Sequence, residues 1–179
     1  MQRALRIALG LGMSLTMATA ADNRPATKQA ERGRELFLKS AKGTACGTCH
    51  AIAGVGNAVG PDLGRMASLV APRGLVMAIQ MTVTAYVQEV KGPDGTFPGI
   101  QKQKQGDEIE IWDLGQAPPA LRTLKSRQVI SMSANRSWKH PPASAGYTSQ
   151  ELADIIGFLK WAAVGGRKEV SVAEVEGLQ

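Results

Sequence analysis

Both cysteines of this 179-residue chain fall inside one pentapeptide, Cys46-Gly47-Thr48-Cys49-His50. Any fold open to the chain must therefore present two thiols and an imidazole from a single short turn, and no other segment constrains it as tightly. A zinc knuckle needs four ligands at short spacing, whereas the only other histidine is His140, ninety positions on. A redox-active cysteine pair of the thioredoxin kind sits where a strand enters a helix. Here the motif follows an amphipathic helical stretch and leads into a glycine-rich loop.

What remains is covalent attachment of a porphyrin. Two thiols at this spacing can each add to one vinyl group of a single haem, and the imidazole behind the second thiol then becomes the proximal ligand of the iron. The expected cofactor is one haem c, held by Cys46 and Cys49 and ligated by His50.

The N-terminus agrees with this chemistry. Basic residues Arg3 and Arg6, an apolar run from Ile7 to about Met17, and the small residues Ala18-Thr19-Ala20 describe a secretory signal peptide on residues 1–20, cut near Ala20. The run is too short to span a bilayer, so membrane attachment is expected only if the segment stays uncut. The expected location is periplasmic or otherwise exported, and residues 21–179 are expected to form a single domain. The formal charge of +6 becomes +4 when the two arginines leave with the signal. That is mild, and Trp112, Trp138 and Trp161 are scattered rather than interleaved with a basic stripe, so nucleic acid is excluded as a partner.

Periodicity predicts a first amphipathic helix ending near Lys39, with Ala30, Gly33, Leu36 and Phe37 at helical spacing. A terminal helix is predicted from Thr148 or Ser149, with Glu151 in its first turn and Leu152, Ile155, Ile156, Leu159 and Ala162 facing inward, stopping at Gly165-Gly166. Gly33 weakens its own helix by about 1 kcal/mol, which is reasonable where another helix crosses closely. A further helix fits Pro72 to Met81.

Gly33-Arg34-Glu35-Leu36-Phe37, then Cys46 to His50, then Gly60-Pro61-Asp62-Leu63, then a proline pair before the last helix, together resemble a class I c-type cytochrome. The resemblance covers residues 26–81 and 132–163. It implies a mainly α cytochrome c fold, with helices packed around one covalently attached haem. It also implies that Gly33 and Phe37 pack on the terminal helix at Phe158 or Trp161, and that the Pro61 carbonyl engages the second nitrogen of His50.

Between these blocks the period changes. Thr82–Val90, Thr96–Lys104, Glu108–Leu114 and a short Leu121–Leu124 read as strands, with turns at Gly92-Pro93-Asp94-Gly95 and Gln105-Gly106-Asp107. Residues 82–131 are thus expected to be a small antiparallel sheet inserted into the helical fold. This arrangement is similar to haem-binding domains of some bacterial membrane-bound dehydrogenases. Their second axial ligand is usually a methionine just before a proline, whereas this chain has Trp138-Lys139-His140-Pro141-Pro142.

His140 is accordingly the expected sixth ligand, with Met132 as the alternative and an open site as the third choice. Met66, Met77 and Met81 fall on predicted helix or core positions. A second imidazole favours ferric iron relative to a thioether, so a low-to-moderate potential is expected. The expected function is electron transfer between redox partner proteins, an acidic partner or a dehydrogenase among them, and not catalysis. Arg122, Lys125, Arg127, Arg136 and Lys139 form a basic run that reads either as a docking face or as solvated surface. The alternative function is small-molecule binding, sensing or redox catalysis at a displaceable sixth position. The sequence offers no serine, histidine and acid arrangement, and Glu108 and Glu110 read as a solvated strand face.

Overall fold

Helix α1 (Lys28–Leu38) begins where the Thr27 hydroxyl accepts from the Ala30 amide at 3.1 Å, satisfying a donor that the first turn leaves open. The computed structural model describes residues 25–40, 42–81, 84–141 and 146–176. The expected signal peptide, residues 1–20, lies outside the described residues, as does Pro142.

Helix α4 (Ser149–Val164) has a reciprocal cap, in which Thr148 accepts from the Glu151 amide and the Glu151 carboxylate accepts from the Thr148 amide. It ends at Gly165, whose left-handed backbone (φ 66°) suits a residue without Cβ. The two helices cross at Gly33. A Cβ there would overlap the Asp154 carbonyl and approach Phe158 Cβ at 2.8 Å, so only glycine allows the contact. One helical turn further, Phe37 packs on Phe158 with ring centroids 5.3 Å apart. Of the two aromatic partners the resemblance implied, Phe158 is the one that stacks.

Polar groups also secure this crossing. Buried Asp154 receives both arms of Arg32, at 2.8 and 2.9 Å. Buried Gln29 clamps Val170 through its amide and carbonyl, each at 2.8 Å, which ties the chain beyond α4 back to α1. Helices α2 (Gly64–Leu69) and α3 (Pro72–Gln80) add Ala67, Leu75 and Val76 to the apolar core formed by α1 and α4. Proline opens α3, where its missing N–H costs no hydrogen bond.

The remaining strands depart from a mainly α protein. A two-residue hairpin, β1 (Ala51–Ile52) and β2 (Val55–Gly56), directly follows His50. A five-stranded antiparallel sheet contains β3 (Gln88–Gly92), β4 (Gly95–Gln105), β5 (Glu108–Asp113), β6 (Ala120–Lys125) and β7 (Ser131–Ala134), in spatial order β6-β5-β4-β3-β7. With 35% helix and 26% strand the fold is α/β, which overturns the expected mainly α class. Most of that strand is the inserted sheet, β3 to β6, which the mainly α expectation ranked below the helices; the rest comes from segments with weak sequence signals. The segment Ser131-Met132-Ser133, which carries no strong strand signal, pairs with β3 from Gln88↔Ala134 to Lys91↔Ser131. The β1–β2 hairpin replaces what reads in sequence as a plain glycine-rich loop.

The sheet has its own apolar cluster, with Val90, Phe97, Ile109, Ile111 and Leu124 buried and Met132 packed against them. Asp113 is buried in the sheet, where it accepts from the Gly115 amide and pairs with Arg122. Arg122 also lies over the Phe97 ring at 4.5 Å.

Candidate functional site

The turn that carries both thiols is a single 3-10 turn, Cys46–Thr48, placed against the end of α1. The Cys49 and His50 amides both donate to the Cys46 carbonyl, at 3.1 and 2.9 Å, which presents all three side chains from one compact knot. The chain then runs through β1 and β2 and returns. The Val59 and Gly60 amides donate to the Cys49 carbonyl, and the Leu63 amide to that of Ala51.

That return brings Pro61 to His50. His50 Nδ1 stands 2.8 Å from the Pro61 carbonyl oxygen. A carbonyl can only accept, so Nδ1 carries the proton and Nε2 keeps its lone pair. Gly60 makes room for the ring, since a Cβ there would lie 2.9 Å from His50 Cε1. Burial pushes the His50 imidazole below its ordinary pKa, against the opposing effect of the Pro61 hydrogen bond.

Cys46, Cys49, His50 and Pro61 line one cavity of about 320 Å³, walled by Phe37, Leu63, Met66, Ile155 and Leu159 from the helical core. His140 and Pro141 line the same cavity. The two imidazole centroids are 5.8 Å apart, with their planes inclined at 35°. His140 Nδ1 lies 2.7 Å from the Pro141 carbonyl oxygen, so in this ring too Nδ1 is the nitrogen that donates to backbone and Nε2 is the one left over. Metal–nitrogen bonds of about 2 Å place two imidazoles on opposite sides of one metal ion about 6 Å apart between ring centres. The spacing therefore suits two imidazole donors to one metal ion.

Met132 is elsewhere. It sits on β7 opposite Val90 and packs on the sheet cluster, and it does not line the cavity. Met66 and Met81 do line it, although their sequence positions read as helix or core. Thr84 and Tyr86, at the entry to β3, also reach the cavity, and no sequence signal marks them. The Thr84 hydroxyl is buried with no hydrogen-bond partner.

Burial raises the pKa of both thiols above the ordinary cysteine value. A dithiol built for disulfide exchange holds its attacking cysteine low, so this environment does not favour such an enzyme. Among the described residues, no group of three or more His, Cys, Asp and Glu side chains gathers to hold a bare ion, and no helix is long and apolar enough to cross a membrane. Within the basic run, Arg122 is engaged by Asp113 and Lys125 pairs with Glu108 at 2.7 Å, while Arg127, Arg136 and Lys139 are exposed. Compared with protein-family models and with curated proteins, the chain matches none.

Proposed function

We propose that the chain is an exported c-type cytochrome that carries one haem, bound through Cys46 and Cys49 and ligated by His50 and His140, and that it passes electrons between redox proteins. The observation that carries this reading is the pair of imidazoles 5.8 Å apart in the lining of an apolar cavity whose wall also holds both cysteines. The fit to a haem is good on three counts. The inter-ring spacing suits two axial ligands, the cavity lies in the roughly 300–1,000 Å³ range of cofactor sites, and each Nδ1 is tied to a proline carbonyl so that Nε2 is the donor.

A haem would supply one-electron chemistry; His50 and His140 would hold its iron, and the apolar lining of Phe37, Ile155 and Leu159 would keep water from it. Two strong ligands leave no position for substrate, which favours electron transfer over catalysis. Export rests on residues 1–20, and an acidic face on the partner suits exposed Arg127, Arg136 and Lys139.

The test is expression in a host able to attach haem to exported proteins. The expected product is coloured, heavier than the polypeptide by one haem, low-spin in both oxidation states, and slow to bind carbon monoxide. His140→Ala should give a high-spin or carbon monoxide-reactive form, whereas Met132→Leu should leave the spectrum unchanged. A colourless product of bare polypeptide mass would overturn the whole reading. An unchanged spectrum in His140→Ala would overturn the ligand assignment.

A further inference from the structure

The sheet and the cavity meet at two places, and both lie where the sheet begins and ends. The chain enters β3 past Thr84 and Tyr86, which line the cavity, and leaves β7 six residues before His140. Beyond the last β3–β7 pair the ladder continues by one bond, from the Asn135 amide to the carbonyl of buried Val87 at 2.9 Å. The Asn135 side-chain oxygen then accepts from the Ser137 amide at 3.2 Å, the Ser137 hydroxyl at 2.8 Å and the Trp138 amide at 2.9 Å. One oxygen thus fixes the turn that takes the chain out of the sheet. Asn and Asp place an acceptor at that reach, and Ser or Thr does so more weakly.

Trp138 follows, with its ring centroid 6.2 Å from that of His140 and the two planes at 89°. This edge-to-face contact fixes the tilt of the imidazole, and the Pro141 carbonyl fixes its rotation through Nδ1. The His140 ring is held by its own turn, by a neighbouring aromatic plane and by a backbone acceptor.

We propose that Asn135 and Trp138 are positioning residues for the sixth ligand, and that the inserted sheet serves as the mount on which that ligand is carried. The proposal rests on the reading of His140 as an iron ligand. Neither residue touches the iron. Asn135 sets the population in which His140 is in reach, and Trp138 sets the angle between the two imidazole planes, 35° in this structure.

The experiment uses the haem-loaded protein and its Asn135→Ala, Asn135→Asp and Trp138→Leu variants. Two readouts are taken: the rate of carbon monoxide binding to the reduced form, and the g-values of the ferric form, which follow the angle between axial imidazole planes. Loss of the capping acceptor should raise the carbon monoxide rate roughly 5- to 10-fold in Asn135→Ala, and Asn135→Asp should return it to the wild-type rate. Trp138→Leu should remain low-spin with altered g-values. Wild-type rates and g-values in both Asn135→Ala and Trp138→Leu would overturn the proposal. Should Asn135→Ala fail to accumulate, Trp138→Leu decides alone, since Trp138 lies outside both apolar clusters. Failure of the underlying reading has a different signature, an unchanged spectrum in His140→Ala.

Discussion

His50 and its carbonyl partner form a unit set by local chain geometry. The loop from Ala51 to Leu63 is closed by the β1–β2 hairpin and by the Leu63 amide bonded to Ala51, so Pro61 has no freedom to drift from Nδ1. Gly60→Ala would set a Cβ 2.9 Å from Cε1 and 3.2 Å from Nδ1, so the ring or the loop must shift and the Pro61 bond lengthen. In the proposed reading that bond would make His50 a more basic ligand and so favour ferric iron. Its weakening is expected to raise the midpoint potential of the loaded protein, on the order of a tenfold change in relative stability, or about 60 mV for one electron. A redox titration of the variant checks this, and a fall in potential would contradict it. Cys46, Cys49, His50 and Pro61 were legible in sequence because sixteen consecutive residues contain the whole relationship. The placement of Met132 away from the cavity was not, because it depends on β7 pairing with β3, some forty residues away, which turns Met132 onto the sheet cluster.

At the level of elements, α1 was readable from its apolar spacing, α4 from its cap, spacing and glycine stop, and their crossing from Gly33. Gly33→Ala cannot be relieved by a side-chain rotation, because the obstruction is the Asp154 backbone carbonyl. Separation of the two helices would disturb the Phe37–Phe158 stack and the Arg32–Asp154 pair together. The expected loss is about 3 kcal/mol, at the upper end for overpacking, measured by denaturant unfolding.

The cap of α4 makes a pH statement. Lys42 and the Thr148 amide hold the Glu151 carboxyl down at about 2, from an ordinary 4.5. A carboxyl with a depressed folded pKa stabilises the fold fully above its unfolded pKa and loses that contribution as pH falls through the folded value. Wild-type stability should therefore decline from about pH 4.5 to about pH 2 through this group. Glu151→Gln should remove that part of the slope and lower neutral stability by roughly 1 kcal/mol or less, since the pair with Lys42 is partly solvated. Identical acid profiles for the two proteins would contradict it. Strands β4 and β5 were legible from alternation and from turns containing Asp and Gly. β1, β2 and β7 were not, because segments of two to four residues are too short to show an alternating period, and Ile52 and Val55 are isolated among small residues.

On the scale of the whole molecule, the two imidazoles belong to different halves. His50 is embedded with the helical core of Phe37, Ile52, Leu75 and Phe158, whereas His140 follows directly from the sheet, whose cluster of Val90, Phe97, Ile109, Ile111 and Leu124 is separate. Ligation from both sides would make the iron a link between two units with independent apolar cores. This division was hidden in the sequence, where the insertion is visible as a change of period but its attachment to the distal histidine is not. Ile111 is fully buried in the sheet, and Ile111→Ala should cost about 2–4 kcal/mol in that half. In urea, the loaded ferric variant should lose its low-spin spectrum before its helical circular dichroism, with covalent haem and His50 ligation kept in the intermediate. Phe158→Leu, which weakens the helical core on which the proximal side rests, should move both transitions to lower urea together. If Ile111→Ala instead shifted the spectral and helical transitions by the same amount, the two clusters would act as one cooperative unit, and the sheet would be no separate support for the distal ligand.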